Sequence, residues 1–344
     1  MTNSTLIVPD FSASPRALPS DTPKQMLSVI QEGSGHTVRI NSSSLSLLQT
    51  CARKSKYVLH DGWKGKAGSP PLIHGLGIHH ALEVFYRQPR KERGEIPENF
   101  EEIAYTLANG YEAPEQHFLF DAIKAYISAV EPLRALPDSD ARSLTSGIWV
   151  LCHYFRTYFH DVYVTHHDDK GPLIERTFET PLIDTPKLKV ILFGTIDFIL
   201  RNETTGHVLP GDHKTASQMW GFLNRVKPNH QYTGYVIGAQ RVLGIDTEDF
   251  LVNGIEVKKR PAKGLPPTFT RQITKRTEQD IEEFISAVHF SVRNYLEWKT
   301  EDNWPLGHVD ACSLYGGCGF HEICSAPNNL RQNILESKYT CNGI

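Results

Sequence analysis

The chain has 344 residues, of which 40% are hydrophobic, and a formal net charge of −3 at pH 7. Such a chain can bury a sizeable core, as one large domain or two modest ones. It has no apolar run approaching the roughly 20 residues of a membrane span, and its beginning lacks the basic-then-apolar order of a signal peptide. We therefore expect a soluble, cytoplasmic protein.

The predicted elements change character along the chain. Residues 1–36 are rich in Ser, Pro and Thr and are predicted to form a poorly ordered arm. Residues 37–165 are predicted to be helical, with helices starting near Ser42 or Ser43 and covering 72–88, about 114–133 and 140–161. In residues 166–300, β-rich runs alternate with helices near 218–243 and 277–299, and 301–344 form a cysteine-containing tail. The order predicts an α/β fold with a central mixed sheet flanked by helices.

Positive charge is clustered although the whole chain is nearly neutral. Residues 257–276 contain seven Lys or Arg and no acid, and a second cluster follows Cys51. Basic patches on a neutral protein suit a groove for a polyanion such as DNA, whereas the alternative is a pair of solvated faces. The candidate DNA-contacting residues are Arg53, Lys54, Lys56, Lys258, Lys259 and Arg260.

Two neighbouring predicted strands each carry an acid, Asp197 in VILFGTIDFIL and Asp212 in GDHKT. Because side chains alternate along a strand, Asp212 and Lys214 share one face while His213 points to the other. Two carboxylates on adjacent strands can hold Mg²⁺ or Mn²⁺, and a nearby lysine can orient or deprotonate water during phosphodiester hydrolysis. The alternatives are a surface ion pair of Asp212 with Lys214, and an Asp197 satisfied by backbone donors or arginine.

Two more segments complete an ordered set of motifs. HGLGIHHALE places His79 after a glycine-rich helix start, and HQYTGYVIGAQ places Gln231 and Tyr235 four residues apart on one helical face. Together with GTIDFIL and GDHKT, this order resembles the RecB-type branch of the PD-(D/E)XK nuclease superfamily. That branch includes the CRISPR-adaptation exonucleases and phage recombination exonucleases.

The resemblance implies a restriction-endonuclease-like core and a role for each matched residue. His79, Asp197 and Asp212 are implied to bind Mg²⁺ or Mn²⁺, together with the backbone carbonyl of His213. Lys214 is implied to assist the attacking water.

The other matched positions carry less defined roles. The resemblance implies that Gln231 and Tyr235 lie at the active site and contact DNA or support the lysine. His80 is an alternative to His79, because adjacent helical residues point about 100° apart and only one can face the metal. Glu175 lies where related chains often carry a glutamate, and is either catalytic or an edge-strand ion-pair partner.

The six cysteines lie at positions 51, 152, 312, 318, 324 and 341. In a cytoplasmic protein such a set is more often metal-binding or unpaired than disulfide-bonded. One upstream cysteine followed by a C-x5-C-x5-C trio resembles the iron staple of RecB-like nucleases, which implies that Cys51, Cys312, Cys318 and Cys324 bind a [4Fe-4S] cluster. Cys-Ala-Arg replaces the common Cys-Pro-Arg, and the trio departs from the C-x2-C-x5-C of some relatives. Cys152 is predicted in the core and Cys341 in a loose tail.

The sequence thus predicts a metal-dependent DNA nuclease, an exonuclease acting on DNA ends in phage or prokaryotic recombination or repair. Its expected partner is single-stranded or duplex DNA, with no membrane and with an oligomer left open. No helicase P-loop of the form G-x4-G-K-[ST] occurs, so a helicase, recombinase or single-strand-binding protein would supply unpaired DNA. The rival interpretations are a structure-specific endonuclease, an inactive DNA-binding or scaffold module of the same fold, and a zinc-stabilised regulator.

Overall fold

The computed structural model describes residues 26–65, 68–261, 264–313 and 317–341. The strands are β1 (Leu27–Glu32), β2 (Gly35–Ile40), β3 (Trp63–Gly65), β4 (Tyr163–Thr165), β5 (His167–Asp168), β6 (Gly171–Pro172), β7 (Ile174–Asp184), β8 (Leu188–Asn202), β9 (Val208–Ala216), β10 (Asp249–Glu256), β11 (Phe269–Lys275) and β12 (Tyr339–Cys341). The helices are α1 (Ser42–Thr50), α2 (Ala52–Ser55), α3 (Pro70–Arg87), α4 (Phe100–Ala108), α5 (Phe118–Ala129), α6 (Leu144–Tyr158), α7 (Met219–Leu223), α8 (His230–Leu243), α9 (Glu278–Glu301), α10 (Asp310–Ser313), α11 (His321–Ser325) and α12 (Asn328–Lys338). No helix in these ranges is long and apolar enough to cross a membrane.

The long strand β8 is the centre of a mixed sheet that contains eight of the strands in the described ranges. Along one side of β8, β7 and β4 run antiparallel to it. Along the other side, β2 pairs parallel with residues 188–192 and β9 pairs antiparallel with residues 198–201. β1 extends the sheet beyond β2, and β10 and β11 extend it beyond β9. The predicted α/β architecture, a mixed sheet flanked by helices, is confirmed.

Helices cover both faces of this sheet because each presents one apolar stripe to it. The first core lies under α3, α5 and α6 and includes Phe85 and Phe155. The second core lies under α1, α8 and α9 and includes Phe284 and Val288. The two cores lie on opposite faces of the sheet. A residue at a gap between two strands therefore has helices on both sides of it.

The amino-terminal boundary differs from the prediction. Residues 1–25 of the predicted arm lie outside the described residues, but 27–32 and 35–40 form β1 and β2 rather than an arm. Val38 and Ile40 in β2 are fully buried. A two-stranded hairpin is marginally stable alone, so β1 and β2 depend on pairing with β8, which a local sequence pattern does not reveal.

Several helices also differ from their predicted spans. The helix predicted over 218–243 is two helices, because Pro228 cannot continue a helix and Asn229 starts the second by capping the Gln231 backbone N–H at 2.9 Å. Asn41, rather than a serine, caps α1 by accepting from the Ser44 N–H at 2.9 Å. The helices predicted over 114–133 and 140–161 are the shorter α5 and α6, and α4 was not predicted.

The carboxyl-terminal segment is more regular than predicted. It contains α11 and α12, and β12 pairs antiparallel with β3. Tyr339 is 9% exposed, and its ring stacks on Phe320 with centroids 4.9 Å apart. Cys341 therefore lies in a paired strand, and the prediction of a loose tail is wrong. This pairing ties the carboxyl-terminal segment to the chain just beyond Cys51.

Candidate active site at the split between two strands

β8 and β9 separate where the two predicted acids lie. Phe198 and Gly211 are their last paired residues, and the next position on each strand is Asp197 or Asp212. From Gly211 onward β9 also pairs with β10, which lies on its other side. Residues opposite each other on adjacent antiparallel strands project to the same side, so the two carboxylates stand together at the opening of the split.

Asp197 is held by two neighbours. Its Oδ2 accepts a hydrogen bond from the His213 backbone N–H at 2.8 Å and lies 3.1 Å from Nδ1 of His79. Burial opposes the charged forms of both side chains, but their mutual hydrogen bond lowers the pKa of Asp197 and raises the pKa of His79. His80 is exposed. The structure therefore places His79, and not His80, beside the acid.

Asp212 is 1% exposed and its Oδ2 contacts the ammonium group of Lys214. Burial raises the pKa of Asp212 to about 7; the Lys214 charge opposes this rise and the Asp197 charge adds to it. Burial would lower the pKa of Lys214, but Asp212 and Asp197 together raise it. The Lys214 side chain keeps 28% of its surface exposed, so it pairs with a buried acid while part of it remains accessible to solvent.

The His213 side chain points away from this pair, into the first core. Its ring stacks on Tyr86 with centroids 5.4 Å apart, and its Nδ1 lies 2.7 Å from Nδ2 of Asn253. Asn253 also donates to the Tyr154 hydroxyl at 2.7 Å. Burial lowers the pKa of His213 well below its ordinary value, so the ring is neutral. His213 serves the site through its backbone, whose N–H holds Asp197.

Sequence reasoning missed Asn253. The available signal was an amide side chain within the otherwise apolar strand DFLVNGIE, where Asn253 is fully buried. A buried amide needs hydrogen-bond partners, which marks this position as part of a polar network.

Glu175 is a further acid at the site. It lies on β7 opposite Asp197, between two regularly paired positions. Burial raises the pKa of Glu175 to about 7, and the charges of Asp197 and Glu83 add to the rise. Its backbone φ of +52° lies in the left-handed region that non-glycine residues rarely adopt.

At Glu175 and Asp197 the side chains of β7 and β8 switch from one face of the sheet to the other. Phe178 and Ile196 belong to the second core, whereas Ile174 and Phe198 belong to the first, although an even number of residues separates the two positions on each strand. Strict alternation would keep such positions on one face. The left-handed backbone at Glu175 marks the reversal, and the acids lie where the strands turn over.

Gln231 and Tyr235 lie one turn apart on α8, and Gln231 Nε2 donates to the Tyr235 hydroxyl at 2.9 Å. Burial raises the pKa of Tyr235, and the charge of Asp212 adds to the rise. The hydroxyl therefore stays protonated beside the acid pair. The structure brings both predicted α8 residues to the same site as Asp212.

The four predicted cluster cysteines lie in one region. Cys51, between α1 and α2, accepts a hydrogen bond from the Gly307 N–H to Sγ at 3.3 Å. The carbonyl of Cys312 accepts from the Cys318 N–H at 2.8 Å. Burial raises the pKa of Cys324, and the nearby Cys318 and Cys51 add to the rise. These contacts join the start of the helical part to the carboxyl-terminal segment.

Donor chemistry is suitable at both predicted metal sites. Carboxylates with an imidazole suit a divalent cation, and four thiols suit an iron-sulfur cluster. In the part of the chain that the structure describes, no three His, Cys, Asp or Glu side chains stand at metal-ligand spacing. Cys152 is fully buried in the first core, as predicted.

The predicted DNA-contacting residues fall into two sets. Arg53 donates to the Trp304 carbonyl at 3.2 Å, and the Lys56 ammonium lies 3.3 Å from Oδ1 of Asp302. These contacts fasten the segment after α9 to the region of α2, where Lys54 also lies.

The second set, Lys258, Lys259 and Arg260, follows β10. Lys258 donates to the Pro266 carbonyl at 3.1 Å, Lys259 is exposed, and the Arg260 guanidinium lies 4.3 Å from the Tyr105 ring centroid. Because β9 and β10 are parallel and end together, this set lies at the edge of the sheet beyond Lys214.

Comparisons with known proteins leave the function open. No protein-family model matches the chain, and no curated protein matches it. One similar solved structure is a "putative exonuclease" from Eubacterium rectale, with 12% identity over 79% of this chain and 85% of that one and a TM-score of 0.37. Similarity at that level carries no argument about activity, so the functional inference depends on the residues of the site.

Proposed function

We propose that the protein is a metal-dependent DNA nuclease with a PD-(D/E)XK core of the RecB type, and that it acts as an exonuclease on DNA ends. The observation that carries the proposal is the contact of the buried Asp212 with the half-buried Lys214, placed at the strand split beside Asp197 and His79. Burying an ion pair is costly in desolvation and is weak evidence for stability. Perturbed acids and bases gathered at one opening are instead typical of a catalytic site.

Each residue has a task in phosphodiester hydrolysis. Mg²⁺ or Mn²⁺, when bound, polarises the phosphate and makes a bound water acidic. Asp197, Asp212, His79 and the backbone carbonyl of His213 would hold it. The ammonium group of Lys214, which contacts Asp212, would donate to the attacking water or a phosphate oxygen and offset developing negative charge.

The test compares wild type with Asp212→Asn and Lys214→Ala on end-labelled DNA, single- and double-stranded, linear and circular, with Mg²⁺ or Mn²⁺. Loss of one charge-stabilising group is expected to lower the rate about 100-fold or more. Lys227→Ala is the matched control, since that lysine pairs with Asp280 at 2.7 Å on the surface, and it should cleave like wild type.

The outcomes separate the rival functions. Loss of linear DNA only, absent in both site variants, would support the exonuclease, and cutting of circles would favour a structure-specific endonuclease. Binding without any cleavage would favour an inactive DNA-binding or scaffold module. Equal cleavage by wild type and the site variants would contradict the assignment of the site.

We further propose that Cys51, Cys312, Cys318 and Cys324 hold a [4Fe-4S] cluster with a structural role. Such a cluster would close a loop over nearly the whole nuclease core and reinforce the pairing of β12 with β3. Loop closure stabilises by restricting the unfolded chain.

The cluster is tested by metal content. Anaerobically purified wild type should contain iron and acid-labile sulfide, and Cys318→Ala should lose both and melt at a lower temperature. Cys341→Ala is the control, since Cys341 is exposed and its thiol donates to the Asp61 carbonyl at 3.2 Å. Iron-free wild type of full stability would refute the cluster, and zinc without sulfide would favour a zinc site.

A further inference from the structure

Trp220 on α7 is exposed over 78% of its surface. Tryptophan presents a large, mostly apolar ring, and such rings contribute strongly to binding when they are covered. α7 is a single short helix of five residues that follows β9, the strand of Asp212 and Lys214. The question is where this helix places the indole relative to the acid pair.

Met219 fixes the position of α7. A Cβ atom added to Gly254 would lie 2.6 Å from the Met219 sulfur, so Met219 fills the space of the missing side chain. Gly254 pairs in parallel register with Lys214, and residues so paired project to the same face of a sheet. α7 therefore begins beside Lys214, on the same face, and Trp220 is the next residue.

Helix α3 brings apolar side chains to the same edge. A Cβ at Gly75 would lie 3.2 Å from the Thr215 hydroxyl oxygen, so the first turns of α3 run past the end of β9. Leu72 and Leu76 are 70% and 53% exposed. They precede His79 by seven and three residues and thus continue its stripe along the helix.

Positive charge completes this edge. β9 and β10 end together, since the Val257 N–H donates to the Ala216 carbonyl at 2.9 Å, and Lys258 and Lys259 follow directly. We name five residues at this edge the mouth: Leu72, Leu76, Trp220 and Lys259, which are exposed, and Lys258, which is half-buried. An aromatic ring and lysines side by side are the combination that binds single-stranded nucleic acid, since bases stack on the ring and phosphates meet the ammonium groups.

We propose that the mouth binds an unpaired DNA strand, with one base stacked on Trp220 and the backbone led past Lys258 and Lys259 to the acid pair. The proposal rests on the proposed nuclease function and specifies its substrate as single-stranded DNA or a single-stranded overhang. In the interior of a duplex both faces of every base are covered by neighbouring bases, so an unpaired strand offers the indole many base faces whereas a blunt duplex offers only one at each end.

The experiment measures binding in EDTA, so that no strand is cut. A 20-nucleotide oligo(dT), the same oligomer made abasic, and a blunt duplex are each titrated into wild type, Trp220→Ala, Trp220→Phe and the control Phe290→Ala. Phe290 is 68% exposed on α9, among residues that lie beside Cys51. Trp220→Ala should weaken oligo(dT) binding about 5-fold to 150-fold, as expected for loss of one base stack.

Three comparisons decide the result. Trp220→Phe keeps an aromatic face and should bind oligo(dT) almost as tightly as wild type does. Oligo(dT) should quench the tryptophan fluorescence of wild type more than that of Trp220→Phe, because the indole on which the base stacks is absent from the variant. Phe290→Ala should bind like wild type, and the abasic oligomer should bind wild type and Trp220→Ala equally.

Equal oligo(dT) affinity of wild type and Trp220→Ala would overturn the stacking site while leaving the nuclease proposal standing. Equal losses on oligo(dT) and on the blunt duplex would overturn the preference for an unpaired strand. Failure of wild type to bind any of the DNAs would overturn the mouth, whereas the cleavage assay with Mg²⁺ or Mn²⁺ would still decide the nuclease proposal.

Discussion

Replacing Asn253 by alanine is expected to destabilise the fold and to weaken the candidate metal site together. Asn253 is fully buried and bridges the Tyr154 hydroxyl and the His213 ring. His213 in turn holds Asp197 through its backbone N–H at 2.8 Å. A change at Asn253 therefore reaches the acid through one intermediate residue.

The magnitude follows from the partners left behind. His213 Nδ1 loses its 2.7 Å partner, and an unsatisfied buried group costs about 1–3 kcal/mol. Tyr154 loses one bond worth about 1 kcal/mol but keeps its 2.7 Å contact with the Tyr86 hydroxyl. Asn253 Oδ1 has no partner among the described residues, so its removal returns about 1 kcal/mol. The net expected loss is about 2 kcal/mol.

Thermal unfolding and metal binding provide the assay. With an unfolding entropy of about 2 cal/mol/K per residue, a loss of 2 kcal/mol in this chain lowers Tm by about 3 °C. Mn²⁺ affinity, measured by electron paramagnetic resonance, should fall about 10-fold, as for residues that orient ligands. Ser291→Ala is the control, since it loses only a 2.7 Å bond to the Ala287 carbonyl on α9. An Asn253→Ala protein with unchanged Tm and unchanged Mn²⁺ affinity would refute the reasoning.

Three other perturbations test the fold. Burial lowers the pKa of His74 to about 4 from 6.5; the unfolded chain binds this proton first as pH falls, so stability should drop by about 3 kcal/mol between pH 6.5 and 4. In His74→Gln the urea midpoint should depend less on pH. A midpoint that falls with pH as steeply as in wild type would contradict this assignment to His74. Gly211→Ala would overlap the Phe198 ring and should cost about 1–3 kcal/mol, whereas Gly221→Ala, which meets nothing within 4 Å, should be neutral or stabilising in melting curves. Thr277→Ala breaks the capping box of α9 and should cost about 1 kcal/mol in urea unfolding; an unchanged midpoint would argue against the cap.

Much of the candidate site could be predicted because its signals are local. Alternation along one strand places Asp212 and Lys214 on the same face, and helical spacing places Gln231 beside Tyr235; the structure has both contacts. The mixed sheet flanked by helices also follows from the order of β-rich and helical runs. The positions of these groups are observed, and the chemistry assigned to them awaits the cleavage assay.

Other features needed the tertiary structure. β2 has an ordinary length of six residues, but it is held in place by its parallel pairing with β8, about 150 residues further along the chain. The partner of His213 is Asn253, on a strand forty residues away. The position of α7 beside the strand of Lys214 depends on Met219 filling the space at Gly254. None of these relations has a period or a spacing, so no local pattern predicts them.

The sequence by itself determined which chemical groups are present, their order, and which neighbours share a strand or helix face. Only the tertiary structure decided that β7 and β8 turn over together at Glu175 and Asp197. As a result, Ile174 and Phe198 lie in the first core rather than in the second. The physical reason is that a left-handed backbone at a glutamate is locally unfavourable. It persists because the apolar side chains on each side of it are buried in two different cores, a balance that exists only once both cores have formed.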